Sequence, residues 1–123
     1  MINKQLLAAL DAMEAAVGGF VPGADEPTPH PMSVMFAIRA LALLIEAGFT
    51  QPSFGIEPDG DVWMDWNPSQ GRLFSMTVAS NGDLIYGWIL NGNHGNGVSA
   101  FDRVTLPIDL TSNLSAVTCE TTK

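Results

Sequence analysis

Residues 71–91 read GRLFSMTVASNGDLIYGWILN, and this stretch decides the fold. Two apolar, strand-forming runs flank Asn81-Gly82, the dipeptide that most strongly signals a tight β-hairpin. Taken as a two-residue type I′ turn, it pairs Ser80 with Asp83. Val78 then faces Ile85, Met76 faces Gly87 and Phe74 faces Ile89. Upstream, Glu57-Pro58-Asp59-Gly60 carries proline where a type I turn wants it and glycine where a left-handed bulge residue follows. The loop Pro58-Asp59-Gly60 therefore sets Ile56 opposite Val62 and Phe54 opposite Met64. The connection Asn67–Gly71 joins the two hairpins into an antiparallel meander over about residues 54–106.

Alternation then separates two faces. One reads Phe54, Ile56, Val62, Met64, Trp66, Phe74, Met76, Val78, Ile85 and Ile89, and is the expected floor for helices. The other carries Asp61, Asp65, Ser75 and Thr77 together with Leu84 and the aromatic set Trp63, Tyr86 and Trp88. Exposed, clustered Trp and Tyr mark interaction surfaces, so this face is the candidate binding site. A one-residue slip would exchange the faces.

Two helices precede the sheet. Leu6, Leu10, Met13 and Val17 form one face of a helix over about residues 3–17, with Asn3 as N-cap and Gly18-Gly19 as stop. A linker rich in proline runs from Phe20 to Pro31, and His30-Pro31 or Thr28-Pro29 opens the next helix. That second helix, about residues 32–47, ends at Gly48. Its stripe is Val34, Ile38, Leu41 and Ile45, widened by Met35, Ala42 and Phe49; a helix this apolar is expected between the sheet and the first helix, the alternative being that Phe36 and Leu43 on its far side face a second subunit. After the sheet, Asn91–Gly97 reads as a flexible loop, Val98–Leu106 as a fifth strand and Pro107–Leu110 as the start of a short helix; residues 111–123 read as a frayed tail. The expectation is one α+β domain spanning 1–123, with two N-terminal helices on one face of a four- to five-stranded antiparallel meander.

Composition limits what such a domain does. Charged residues make up 15% and the net charge is −8. Lys4, Arg39, Arg72, Arg103 and Lys123 are scattered, which argues against direct nucleic-acid binding. Cys119 is the single cysteine, so no internal disulfide forms. The apolar run Val34–Ile45 is too short to cross a bilayer, and the start lacks the pattern of a secretory signal; a cytoplasmic protein is expected.

No motif carries chemistry. Glu57, Asp59, Asp61 and Asp65 resemble the start of a calcium loop, but Pro68 stands where its final glutamate belongs, and turn chemistry accounts for them. His30, His94 and Cys119 have no metal-ligand or catalytic spacing. No catalytic set, metal or cofactor is expected. The reading is a non-enzymatic interaction module that self-associates as a homodimer. Two alternatives stand beside it: an acidic, antitoxin-like inhibitor of a nucleic-acid enzyme, and a small-ligand binder or enzyme with His94, Asp59, Asp61 and Asp65 at the mouth of a pocket between helices and sheet.

Overall fold

The computed structural model describes residues 4–18 and 29–119. Its elements run α1 (Lys4–Gly18), α2 (Pro31–Glu46), β1 (Ser53–Ile56), β2 (Val62–Ser69), β3 (Arg72–Val78), β4 (Asp83–Leu90), β5 (Asn93–Ala100) and α3 (Ile108–Thr118). The strands form one antiparallel meander in chain order, so the α+β expectation stands. The expected Asn3 cap, the stop at Gly19, the linker over 20–28 and residues 120–123 lie outside the described residues.

The first register follows the turn chemistry, and the second follows the alternation of apolar residues. At the β1–β2 turn, the Glu57 amide donates to the Asp61 carbonyl at 2.7 Å and the Gly60 amide to Glu57 at 2.8 Å. Gly60 takes φ +95°, the left-handed conformation that completes a three-residue loop. Phe54 thus faces Met64 and Ile56 faces Val62. Val62, Met64 and Trp66 oppose Val78, Met76 and Phe74 as alternation requires. The ladder then shifts between Trp66 and Ser69, where Pro68 has no amide to offer it.

The third register corrects the hairpin expectation. The Ala79 amide donates to Asp83 at 2.9 Å and Gly82 to Ala79 at 3.0 Å, the same bond pair as in the first hairpin. Asn81 plays the part of Asp59: its side-chain oxygen accepts the Asp83 amide at 2.9 Å, as Asp59 accepts that of Asp61 at 3.1 Å. The loop is therefore Ser80-Asn81-Gly82 rather than two residues, and Val78 faces Leu84, Met76 faces Tyr86 and Phe74 faces Trp88. Every side chain of β4 changes face. Leu84 and Tyr86 enter the core, while Ile85 and Ile89 go to the opposite side.

The expected glycine-asparagine loop is also a strand. Asn91 (φ +50°) and Gly92 (φ +91°) make the true two-residue turn, and β5 runs from Asn93 to Ala100 instead of from Val98 to Leu106. Its glycines are required by rings on β4. A Cβ on Gly95 would lie 2.7 Å from Cε2 of Trp88, and one on Gly97 would lie 2.7 Å from Cζ of Tyr86. The rings occupy the places where β5 side chains would stand, which is how a glycine strand holds its position.

All described helices cover one face. α2 lies against β2 and β3, α3 against β2, β3 and β4, and α1 against α2 and β1. The side of α2 that is buried is Ser33, Phe36, Ala37, Ala40, Leu41, Leu44 and Ile45, so the expected stripe is rotated. Small residues let the helix backbone approach the sheet, and Met35 and Ile38 are exposed. The Ser33 hydroxyl donates to the Val78 carbonyl at 2.5 Å and accepts the Val62 amide at 2.8 Å, joining α2 to the end of the β2–β3 ladder. His30 caps α2, its Nδ1 accepting the Met32 amide at 3.2 Å, with Pro31 at the first helical position. Gly48 (φ +100°) ends it in a Schellman motif, with Phe49 donating to Leu44 and Gly48 to Ile45.

The segment expected to fray forms α3 as far as Thr118. Leu110, Leu114 and Val117 are fully buried at i, i+4 and i+7, each contributing about 1.5–3 kcal/mol at most. Arg72 fixes its far end, donating to the carbonyls of Val117 (3.3 Å) and Cys119 (2.7 Å), where a cation complements the helix dipole.

Candidate interaction face

The face away from the helices is covered by none of the described elements. Its pairings run in rows across the sheet: Gly55, Trp63, Thr77, Ile85 and Val98 in one, and Ser53, Asp65, Ser75, Gly87 and Asn96 in the next. Leu73, Ile89 and His94 form a third. Ile85, Ile89 and Val98 are 45%, 44% and 63% exposed, and they gather on β4 and β5. A Ser75–Asp65 hydrogen bond of 2.5 Å makes the β2–β3 half more polar.

Asp65, Ser75 and Thr77 lie on this face as expected, but of the six residues expected to make a contact (Trp63, Tyr86, Trp88, Leu84, Phe36 and Leu43) only Trp63 is there. It is half-buried, and its ring lies over Gly55 of the edge strand. Leu84 and Tyr86 are core residues, Tyr86 stacked on Phe74 with centroids 5.6 Å apart. Trp88 is half-buried on the covered face over Gly95. Phe36 is buried near Gly82 with the Arg103 guanidinium 5.6 Å above its ring, and Leu43 packs on the core. The slip at Asn81-Gly82 explains the exchange on β4, and rotation of α2 explains Phe36. Ile85, Ile89 and Val98 were missed, although one signal for them is in the sequence. Tyr86 with Gly97 and Trp88 with Gly95 are symmetric about Asn91-Gly92, which is the register of a hairpin with rings over glycines.

Several of the ionisable residues hold turns and strand ends. Glu57 accepts from the Thr77 hydroxyl at 3.4 Å. Burial is the main reason the Asp61 carboxyl titrates above the usual aspartate range; Asp59 adds to this, while His30 and the Ser80 amide oppose it. The amides of Thr105 and Val104 hold Asp102 below that range by donating to its carboxylate at 2.8 Å each. Among the described residues, no group of three or more His, Cys, Asp or Glu could hold a metal. His94 is on β5 and Asp59 and Asp61 are at the β1–β2 turn, so they occupy opposite edges of the sheet. Exposed Cys119 lines an open groove of about 510 Å³ with Phe49, Thr50 and Pro68, and among the described residues no charged one shares that lining. Arg72 is held by α3 and Arg39 by the Arg103 carbonyl at 3.1 Å, so neither is arranged for a phosphate backbone. Among the described residues, no helix is long and apolar enough to cross a membrane.

Comparison with known proteins gives no match to a family model, a curated protein or a solved structure.

Proposed function

We propose that this protein is a non-enzymatic interaction module that self-associates as a homodimer through the β4–β5 half of its open sheet. The observation that carries this reading is the group Ile85, Ile89 and Val98, exposed together on a face that no described element covers. Charge supports it. A chain of net charge −8 repels its own copies, and the surface of β4 and β5 between Asp83 and Asp102 holds no Asp or Glu. The separation of His94 from the carboxylates weighs against a catalytic pocket. With one cysteine and no disulfide, nothing in the chain calls for an oxidising compartment, and a cytoplasmic setting fits.

Sedimentation equilibrium tests the reading. The wild-type mass should rise toward that of a dimer with concentration, and Val98→Glu should hold it at the monomer. A wild-type chain that stays monomeric up to about 1 mM, where association would contribute no more than about 4 kcal/mol, ends the proposal.

A further inference from the structure

The open sheet has two edges, and they are unlike. β1 is four residues long, lies between Pro52 and Pro58 and has α1 packed against it. β5 is eight residues long and holds no Lys, Arg, Asp, Glu or Pro, and its register with β4 runs without a bulge. Charge, proline, bulges and shortness are the devices that keep a strand edge from pairing with another chain, and β5 has none of them.

The turn at Asn91-Gly92 fixes which backbone groups face outward. In a two-residue hairpin the flanking pair, here Leu90 and Asn93, exchanges both its hydrogen bonds, and such pairs alternate along the ladder. The amides and carbonyls of Asn93, Gly95, Gly97 and Ser99 therefore point to β4. Those of His94, Asn96, Val98 and Ala100 point away from the sheet, and these four residues are exposed.

Building on the self-association reading, we infer that β5 pairs antiparallel with β5 of a second copy about a twofold axis at Gly97, fusing the two sheets into one. Opposed residues must share a face, so each pair joins two residues of the same parity. An axis at Gly97 sets His94 against Ala100 and Asn96 against Val98, and pairs all four outward backbone units of each strand. An axis at Asn96 or Val98 leaves some of them unmatched. The partner is a second copy because this arrangement opposes no two like charges: His94, the one ionisable group on β5, meets alanine. The two Val98 side chains come to lie diagonally across the seam, on the exposed apolar face. An eight-residue strand pair is a small interface, so the dimer is of the weak, transient class.

Amide hydrogen exchange by NMR at low and high protein concentration reads the seam directly. The amides of His94, Asn96, Val98 and Ala100 should gain protection with concentration, while those of Gly95, Gly97 and Ser99 stay protected throughout. Asn96→Pro removes an outward amide without touching the β4 ladder and should weaken association at least about tenfold. Leu7→Gln changes an exposed apolar residue of α1, away from the β5 edge, and should change it no more than about twofold. A dimer that survives Asn96→Pro, fails in the Leu7 variant or leaves the outward amides unprotected overturns the edge pairing while leaving self-association standing. Absence of any wild-type dimer overturns both. The wild-type exchange pattern decides the matter even if the proline variant does not fold.

Discussion

Gly97 and Gly87 lie on opposite faces of the sheet, and adding one methyl group to each should move stability in opposite directions. Glycine within a strand normally weakens it by about 0.5–1 kcal/mol relative to alanine. At Gly87 that gain is available, because the nearest atoms to a new Cβ are the Gly95 carbonyl oxygen at 3.6 Å and Cβ of Asn96 at 4.0 Å. Gly87→Ala should stabilise by about 0.5–1 kcal/mol and raise Tm by about 2–4 °C. At Gly97 the new Cβ would stand 2.6 Å from Oη and 2.7 Å from Cζ of Tyr86. That ring is buried and stacked on Phe74, so it has little room to move aside. Overpacking of this kind costs about 1–3 kcal/mol, which outweighs the backbone gain. Gly97→Ala should therefore lose about 1–2 kcal/mol and lower Tm by about 3–8 °C. Urea and thermal unfolding followed by circular dichroism at two dilute concentrations would measure both values and exclude a contribution from association. With a two-residue turn at Asn81-Gly82, Gly87 would face Met76 in the core and the sign at that position would reverse. A Gly97→Ala protein as stable as the wild type, or a clearly destabilised Gly87→Ala protein, would refute the register of β4 and β5.

Ser33→Ala should destabilise by about 2–3 kcal/mol in urea titration, since it strips the buried Val78 carbonyl and Val62 amide of their shared partner. Arg72→Ala should cost about 1 kcal/mol and speed amide exchange in the last turn of α3 before any change is seen in α2. The two shifted aspartates should have opposite effects on pH dependence. Asp102 titrates low in the folded chain, so its contribution is present above the unfolded pKa and is lost as pH falls through the folded value; Asp102→Ala should flatten the acid limb of the stability curve. Asp61 titrates high, so its contribution is full below the unfolded pKa and is lost as pH rises through the folded value. Asp61→Asn should then stabilise at neutral pH and have no such effect in acid, with carboxyl carbon shifts in NMR reporting both midpoints.

The sheet was legible in the sequence where turn chemistry had one solution. Glu57-Pro58-Asp59-Gly60 admits a single loop because proline restricts it, and β1 and β2 fall into register from there; β3 was legible only through the alternation of Phe74, Met76 and Val78. Asn-Gly does not have one solution. At Asn91-Gly92 both residues have positive φ, whereas at Asn81-Gly82 only the glycine does. Local propensity cannot tell these apart. What separates them is burial: Leu84, Tyr86 and Trp88 bring more apolar area to the core than Ile85, Gly87 and Ile89. β5 was hidden because strand signals are read from side chains, and here the side chains that secure the strand belong to its neighbour. α2 was placed correctly and rotated wrongly, since hydrophobicity pointed to Met35 and Ile38 while close packing chose Ser33, Ala37 and Ala40. The candidate surface failed for the same reason as the register, because Tyr86 and Trp88 were assigned to a face they do not occupy, while Trp63 lies where alternation put it.

The three tryptophans sit at different places in the fold. Trp63 lies over Gly55 at the β1 edge, Trp88 over Gly95 at β5, and Trp66 is buried in the core with its indole nitrogen 2.8 Å from the Thr50 carbonyl. The chain thus carries its own set of fluorophores, one for each margin of the sheet and one for the interior. Three variants that each keep a single tryptophan would follow those places separately through one unfolding experiment. Coincident transitions would describe a single cooperative unit, and an early signal from Trp88 would show the glycine strand peeling away while the core is still intact.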